Sequence, residues 1–119
     1  MEKFVRMALL LDAYGPLLTE KQRRTADLYY GEDLSLREIA DHLGVSRAAV
    51  HDALGRVEAS LEEYENALGL VEKGMRRKAM LDELAVVLDE LGGMTQACGG
   101  VATQLDRAKE IVKRLRDMG

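Results

Sequence analysis

LREIADHLGVSRAAVHDAL, residues 36–54, reads as two short helices joined by a tight turn. Ser35 precedes the first helix and Glu38 stands three residues on. That is the S-x-x-E capping box, in which each side chain satisfies a backbone N–H at the helix start. Gly44 supplies a left-handed residue for the turn, and Ser46 caps a second helix beginning at Arg47. Ile39, Leu43, Val45, Val50 and Ala53 fall where two helices crossing at about 100° must touch. Ala40 is small enough to let the second helix come close. An ordinary helix hairpin would share the caps. It would not need Ala40 and Gly44 at these offsets together with every apolar position, so the stretch reads as a helix-turn-helix.

Working outward, the chain stays helical on both sides. Phe4, Val5, Ala8, Leu9, Leu11 and Asp12 define an amphipathic first helix, ended by Tyr14-Gly15-Pro16. Thr19 offers an N-cap for a second helix over residues 20–30, with Gln22, Ala26, Tyr29 and Tyr30 inward and Gly31 as its stop. Downstream, Val50, Leu54, Val57, Leu61, Tyr64, Leu68, Val71 and Met75 are spaced 4, 3, 4, 3, 4, 3 and 4. This is a heptad seam, with Glu58, Glu62, Glu63 and Glu65 expected on solvated faces. Gly55 and Gly69 are the points where this helix would bend or break. The seam has two readings: a coiled coil between two copies, or a helix folding back on the series Leu81, Leu84, Leu88, Leu91 within one chain. That series is expected to stop at Gly92-Gly93. A small-residue linker over 94–100 follows, then a last amphipathic helix marked by Val101, Leu105, Ala108, Val112 and Leu115. The expected organisation is a helix-turn-helix domain over 1–56, a helical extension or dimerisation hairpin over 57–92, and a linker with a C-terminal helix over 93–119.

Composition agrees and excludes several classes. In 119 residues, 47% apolar and 32% charged argue against disorder, and 4% aromatics with a single proline favour helices over sheets. Cys98 is the only cysteine, so no intrachain disulfide forms, and His42 and His51 alone make no zinc site. No cofactor is expected. The apolar run 7–11 is interrupted by Asp12 and resembles no export signal, and no stretch suits a bilayer. A reducing cytoplasm is the expected location. No phosphate loop, catalytic triad or metal-ligand set appears, so an enzyme is not expected. His51 and Asp52 are adjacent and diverge on a helix, so they form no dyad. Cys98 reads as a passive thiol rather than a nucleophile.

The segments 18–23 (LTEKQR), 28–30 (LYY), 34–40 (LSLREIA) and 43–47 (LGVSR) resemble the fourth region of bacterial sigma factors. With the start over 4–16 and the glutamate-rich helix after Arg56, the chain resembles most the YlxM family of small helix-turn-helix proteins, over residues 1–92. The resemblance implies an all-α, sigma-region-4-like helix-turn-helix bundle with a long helical C-terminal extension. It also implies a non-catalytic regulator tied to the signal recognition particle pathway, whose GTPase or RNA then become candidate partners.

In a helix-turn-helix the exposed start of the second helix reaches base edges in the major groove. Here that face is Ser46, Arg47, Ala48, His51, Asp52 and Gly55. Arg47 suits a guanine edge or a phosphate, and His51 suits a phosphate or base. Backbone contacts fall to Lys21, Arg23, Arg24, Arg37 and Arg56. Ala48 and Gly55 offer no hydrogen bond, and Asp52 repels phosphate. Residues 20–56 carry six basic and seven acidic side chains, so the electrostatic term is weak. The motif therefore keeps a competing reading as a scaffold that docks on protein, with RNA contact as a third. A second basic cluster, Lys73, Arg76, Arg77 and Lys78, suits phosphates or balances the upstream glutamates.

Overall fold

Capping chemistry sets most of the helix boundaries in the computed structural model, which describes residues 2–94 and 102–118. The helices are α1 (Lys3–Tyr14), α2 (Glu20–Ala26), α3 (Leu36–Leu43), α4 (Arg47–Leu68), α5 (Leu70–Met94) and α6 (Ala102–Met118). A 3-10 turn, Gly15–Leu17, follows α1, and α2 runs into a single π-turn, Asp27–Gly31. There is no strand among the described residues, so the chain is all-α. Among them, no helix is long and apolar enough to cross a membrane. Cys98, Val101 and the rest of 95–101 lie outside the described residues. The chain divides into two units, Met1–Val71 and Glu72–Gly119.

In the first unit, Thr19 and Gln22 form a reciprocal capping box at the start of α2: the Thr19 N–H donates to Gln22 at 3.1 Å and the Gln22 N–H donates to Thr19 at 3.2 Å. Gln22 therefore serves the helix end rather than the core face expected of it. The second helix also does not continue regularly to Tyr30. The π-turn adds a residue to the winding, and this carries both Leu28 and Tyr30 into the core, with Tyr29 half-buried. Phe4 packs tilted and Tyr29 edge-on against Tyr30, with ring centroids 5.2 and 4.9 Å away.

The heptad seam of α4 has a cover that neither sequence reading proposed. Val50, Leu54, Val57 and Leu61 are buried within this unit, and α1, α2 and α3 all pack on α4. The N-terminal helix α1 supplies Met7, Leu10 and Tyr14 to the same core. The face expected of α1 is displaced: Phe4, Val5 and Leu9 are exposed. Apolar residues stand on nearly every side of this short helix, so periodicity alone did not single out the buried stripe. The seam also ends early. Gly69 adopts a left-handed φ of 63° and closes α4, so Leu68 and Met75 are left exposed. Gly55, by contrast, sits inside an unbroken helix.

Three of the four glutamates expected to be solvated instead fasten α1 and the π-turn to α4. Arg6 donates twice to Glu62, at 2.8 and 2.7 Å, and Lys3 lies 3.2 Å from Glu58. The Tyr30 hydroxyl donates to Glu58 at 2.6 Å, and the Tyr14 hydroxyl donates to Glu65 at 2.6 Å. Only Glu63 is exposed as expected. Burial, and then donation to a glutamate, hold both tyrosine hydroxyls above their ordinary pKa of 10.0. A raised folded-state pKa contributes stability that is complete below the unfolded value and is lost as pH climbs toward the folded one. The unit is therefore expected to lose stability above about pH 10, and Tyr30→Phe should flatten that decline. Denaturant midpoints from about pH 8 to pH 11 for both proteins check this. Parallel declines would show that Tyr30 plays no part.

The second unit is an antiparallel hairpin of α5 and α6. Lys109 pairs with Asp89 at 3.1 Å and Arg116 with Asp82 at 2.8 Å. Leu105 and Val112 of α6 are buried, facing the half-buried Leu81, Ala85 and Leu88. Gly92 does not stop α5. A Cβ there would stand 3.1 Å from Lys109 Nζ and 3.2 Å from Leu105 Cδ2, so α6 lies close against this glycine. The expected stripe divides accordingly: Leu81 and Leu88 turn inward, while Leu84 and Leu91 are exposed.

Candidate nucleic-acid interface

The turn between α3 and α4 is built as its sequence implies. Ser35 and Glu38 exchange the two capping-box hydrogen bonds at 3.1 and 3.2 Å. Gly44 adopts φ 69°, and the Val45 N–H donates back to the Ala40 carbonyl at 3.1 Å. A six-residue closure of this kind needs the left-handed residue. Ser46 Oγ accepts from the Ala49 N–H at 3.0 Å, starting α4. Ile39, Ala40 and Val50 are buried at the crossing, and Leu43 and Ala53 are half-buried. Val45, expected between the helices, is 41% exposed instead, because the left-handed turn swings it to the rim.

That geometry leaves the first turns of α4 in solvent. Ser46, Arg47, Ala48, His51, Asp52, Gly55 and Arg56 are all exposed. Arg47 and His51 share one face of the helix, four residues apart, and Asp52 and Arg56 share the adjacent one. His51 Nδ1 and Asp52 Oδ1 are 3.9 Å apart, too far for a hydrogen bond. The Ser46 oxygen accepts the cap hydrogen bond and keeps its hydroxyl proton to donate to a ligand.

An open groove of about 1000 Å³ lies between α2 and α4. Lys21 and Arg24 from α2 and Arg56 from α4 border it, and Leu43, Val45, Ala49 and Ala53 give it an apolar floor. Glu20 and Asp52 border it too. Arg23 lies elsewhere, near Gly15, and exposed Arg37 on α3 is not part of the groove. Thr19, Gln22 and Ala49 also line it; the sequence placed Thr19 at an N-cap and Gln22 on an inward face, and it did not single out Ala49, whose four-residue spacing from Ala53 was the available signal.

The cations of this unit fall into two sets. Lys3 and Arg6 pair with glutamates of α4. Among the described residues, Lys21, Arg23, Arg24, Arg37, Arg47 and Arg56 form no ion pair. The downstream cluster Lys73, Arg76, Arg77 and Lys78 is exposed on α5, with Arg76 paired to Glu72 at 2.7 Å. No group of three metal-ligating side chains occurs among the described residues.

Residues 1–96 match the profile of the UPF0122 family, described as "Putative helix-turn-helix protein, YlxM / p13 like". The chain is similar to a UPF0122 protein of Symbiobacterium thermophilum, 55% identical over 75% of this chain and 83% of that one. It is 44% identical to a UPF0122 protein of Desulforamulus reducens, over 97% of this chain and 94% of the relative. A third relative, from Shouchella clausii, is 45% identical over 90% and 97% of the two chains.

Proposed function

The chain belongs to the UPF0122 family of YlxM/p13-like helix-turn-helix proteins, and from that premise we propose that it is a non-catalytic cytoplasmic regulator that binds duplex DNA through the start of α4. The observation that carries this reading is the set of unpaired cations framing the exposed turns. Arg47 stands on the first turn of α4, and Lys21, Arg24 and Arg56 line the groove beside it. Cations with no internal partner keep their full charge for phosphates, and release of counterions from DNA is the main source of such affinity. Arg47 and His51 are the base-reading candidates, and Arg37 and Arg23 are further phosphate candidates on neighbouring surfaces.

Arg47→Ala is expected to weaken binding to a selected duplex by about 1–3 kcal/mol and to relax its sequence preference. Lys21→Ala should weaken binding uniformly and lower the salt slope by about 0.9, the share of a single neutralised phosphate. Fluorescence titration of a random-sequence duplex pool, followed by the selected sequence, across a salt series measures both. Equal affinities for wild type and Arg47→Ala, with both folded, would remove Arg47 from the interface.

A second reading rests on the apolar floor of the groove: Leu43, Val45, Ala49 and Ala53 between charges of both signs suit a protein surface. The partner would then be a protein component of the signal recognition particle, its GTPase. The same titration against each purified component separates the readings. Docking on the apolar floor is nearly insensitive to salt, whereas phosphate binding is not.

A further inference from the structure

The α5–α6 hairpin carries a second apolar stripe on each helix, turned away from the contact between them. On α5 it is Met80, Leu84, Val87 and Leu91, exposed at 70%, 44%, 44% and 43%. At 3.6 residues per turn this stripe lies about 100° around the helix from Leu81, Ala85 and Leu88, which face α6. On α6, Ile111, Leu115 and Met118 are exposed and stand at a similar angle, in the same rotational sense, from buried Leu105 and Val112. Because the two helices are antiparallel, both stripes come to the same side of the hairpin. The Asp82–Arg116 and Asp89–Lys109 pairs close the opposite side. A helix with two apolar flanks roughly a right angle apart is what a four-helix bundle requires, and one hairpin provides half of it. A contiguous apolar face exposed along both helices of a hairpin marks an interaction surface.

We propose that this face is the contact surface for a second copy of the chain, with the two α5 helices antiparallel. Charge selects that occupant. Over 72–78, α5 carries Lys73, Arg76, Arg77 and Lys78 against one acid; over 79–94 it carries Asp82, Glu83, Asp89 and Glu90 and no cation. Asp82 and Asp89 are paired within the hairpin, which leaves Glu83 and Glu90 with no ion pair among the described residues. Arg76, Glu83 and Glu90 repeat at seven-residue spacing along one edge of the stripe. A twofold axis near Glu83 brings Arg76 of each copy, which within its own chain holds the exposed pair to Glu72, to Glu90 of the other. A parallel pair would set like charges together along the whole edge. Arg77 and Lys73 extend the stripe toward the N-terminus, where they meet the acidic end of the other copy.

The test is the mass of the full chain in solution, by sedimentation or light scattering. Wild type is expected to be dimeric at micromolar concentration. Met80→Glu and Val87→Glu, both at exposed positions, should each give a monomer with unchanged helix content. Val86→Glu, exposed at 57% on another side of α5, should leave the dimer intact. Orientation is read in a Cys98→Ser background: Arg76→Cys should cross-link with Glu90→Cys when the two proteins are mixed, and Arg76→Cys alone should not. A monomeric wild type overturns the surface, as does a dimer that survives both Met80→Glu and Val87→Glu. Cross-linking of Arg76→Cys to itself overturns the antiparallel arrangement.

Discussion

Leu61→Glu is expected to unfold the helix-turn-helix unit. Leu61 is fully buried between α4 and the other helices of its unit, beside Val57 and the α1 residues Leu10 and Tyr14. Removing its side chain alone, as in Leu61→Ala, should cost about 2–5 kcal/mol. A carboxylate at the same place adds the penalty of an unpaired charge in an apolar site, which is several kcal/mol more. Small domains hold only about 5–15 kcal/mol in total, so the cooperative thermal transition of this unit should disappear at room temperature. Thermal scans followed by far-ultraviolet dichroism and tyrosine fluorescence measure it. If the heptad seam were instead a contact between two copies, Leu61→Glu would halve the mass and keep the melting transition. That outcome would refute the packing of α1 on α4.

Glu65→Ala should be the second large loss. The Glu65 carboxylate accepts from the Tyr14 hydroxyl at 2.6 Å and from the Val71 N–H at 3.0 Å. The Tyr14 hydroxyl in turn accepts from the Leu70 N–H at 2.9 Å. Leu70 and Val71 open α5, and their N–H groups have no partner within that helix. A tyrosine and a glutamate from two other helices thus cap α5 just after the Gly69 break. Hydrogen bonds to a charged acceptor contribute about 1.5–3 kcal/mol, and truncation strands buried donors. A loss of that size is expected for Glu65→Ala by denaturant titration. Glu65→Gln, which keeps an acceptor, should recover part of it. Full stability in Glu65→Ala would show that water replaces the carboxylate at no cost.

The parts legible in the sequence were those whose causes are local. Ser35 with Glu38, Gly44 and Ser46 specify caps and a turn within a few residues of one another, and each forms as read. The exposed face of α4 was legible for the same reason, since a capped helix with Ile39 and Val50 inward leaves Arg47, His51 and Asp52 outward. The groove was not legible, because Lys21 and Arg24 meet Arg56 only when α2 crosses α4. Arg23 stands between them in sequence and lies elsewhere in space.

By itself, then, the sequence determined the all-α class, the helix-turn-helix and the residues presented at the start of α4. Tertiary structure alone decided what covers the long seam. Val57 and Leu61 announce an apolar stripe, but a stripe is satisfied equally by a second copy, a downstream hairpin or an upstream helix. The choice went to α1 because Met7, Leu10 and Tyr14 align on one side of it while Arg6 and Tyr14 reach Glu62 and Glu65. The same holds for the glutamates. On a helical wheel they are ordinary surface charges. They become the fastening of the fold only when a tyrosine or an arginine from a distant part of the sequence arrives opposite them, because hydrophobic burial is non-directional and leaves such polar pairings to settle which helix packs where.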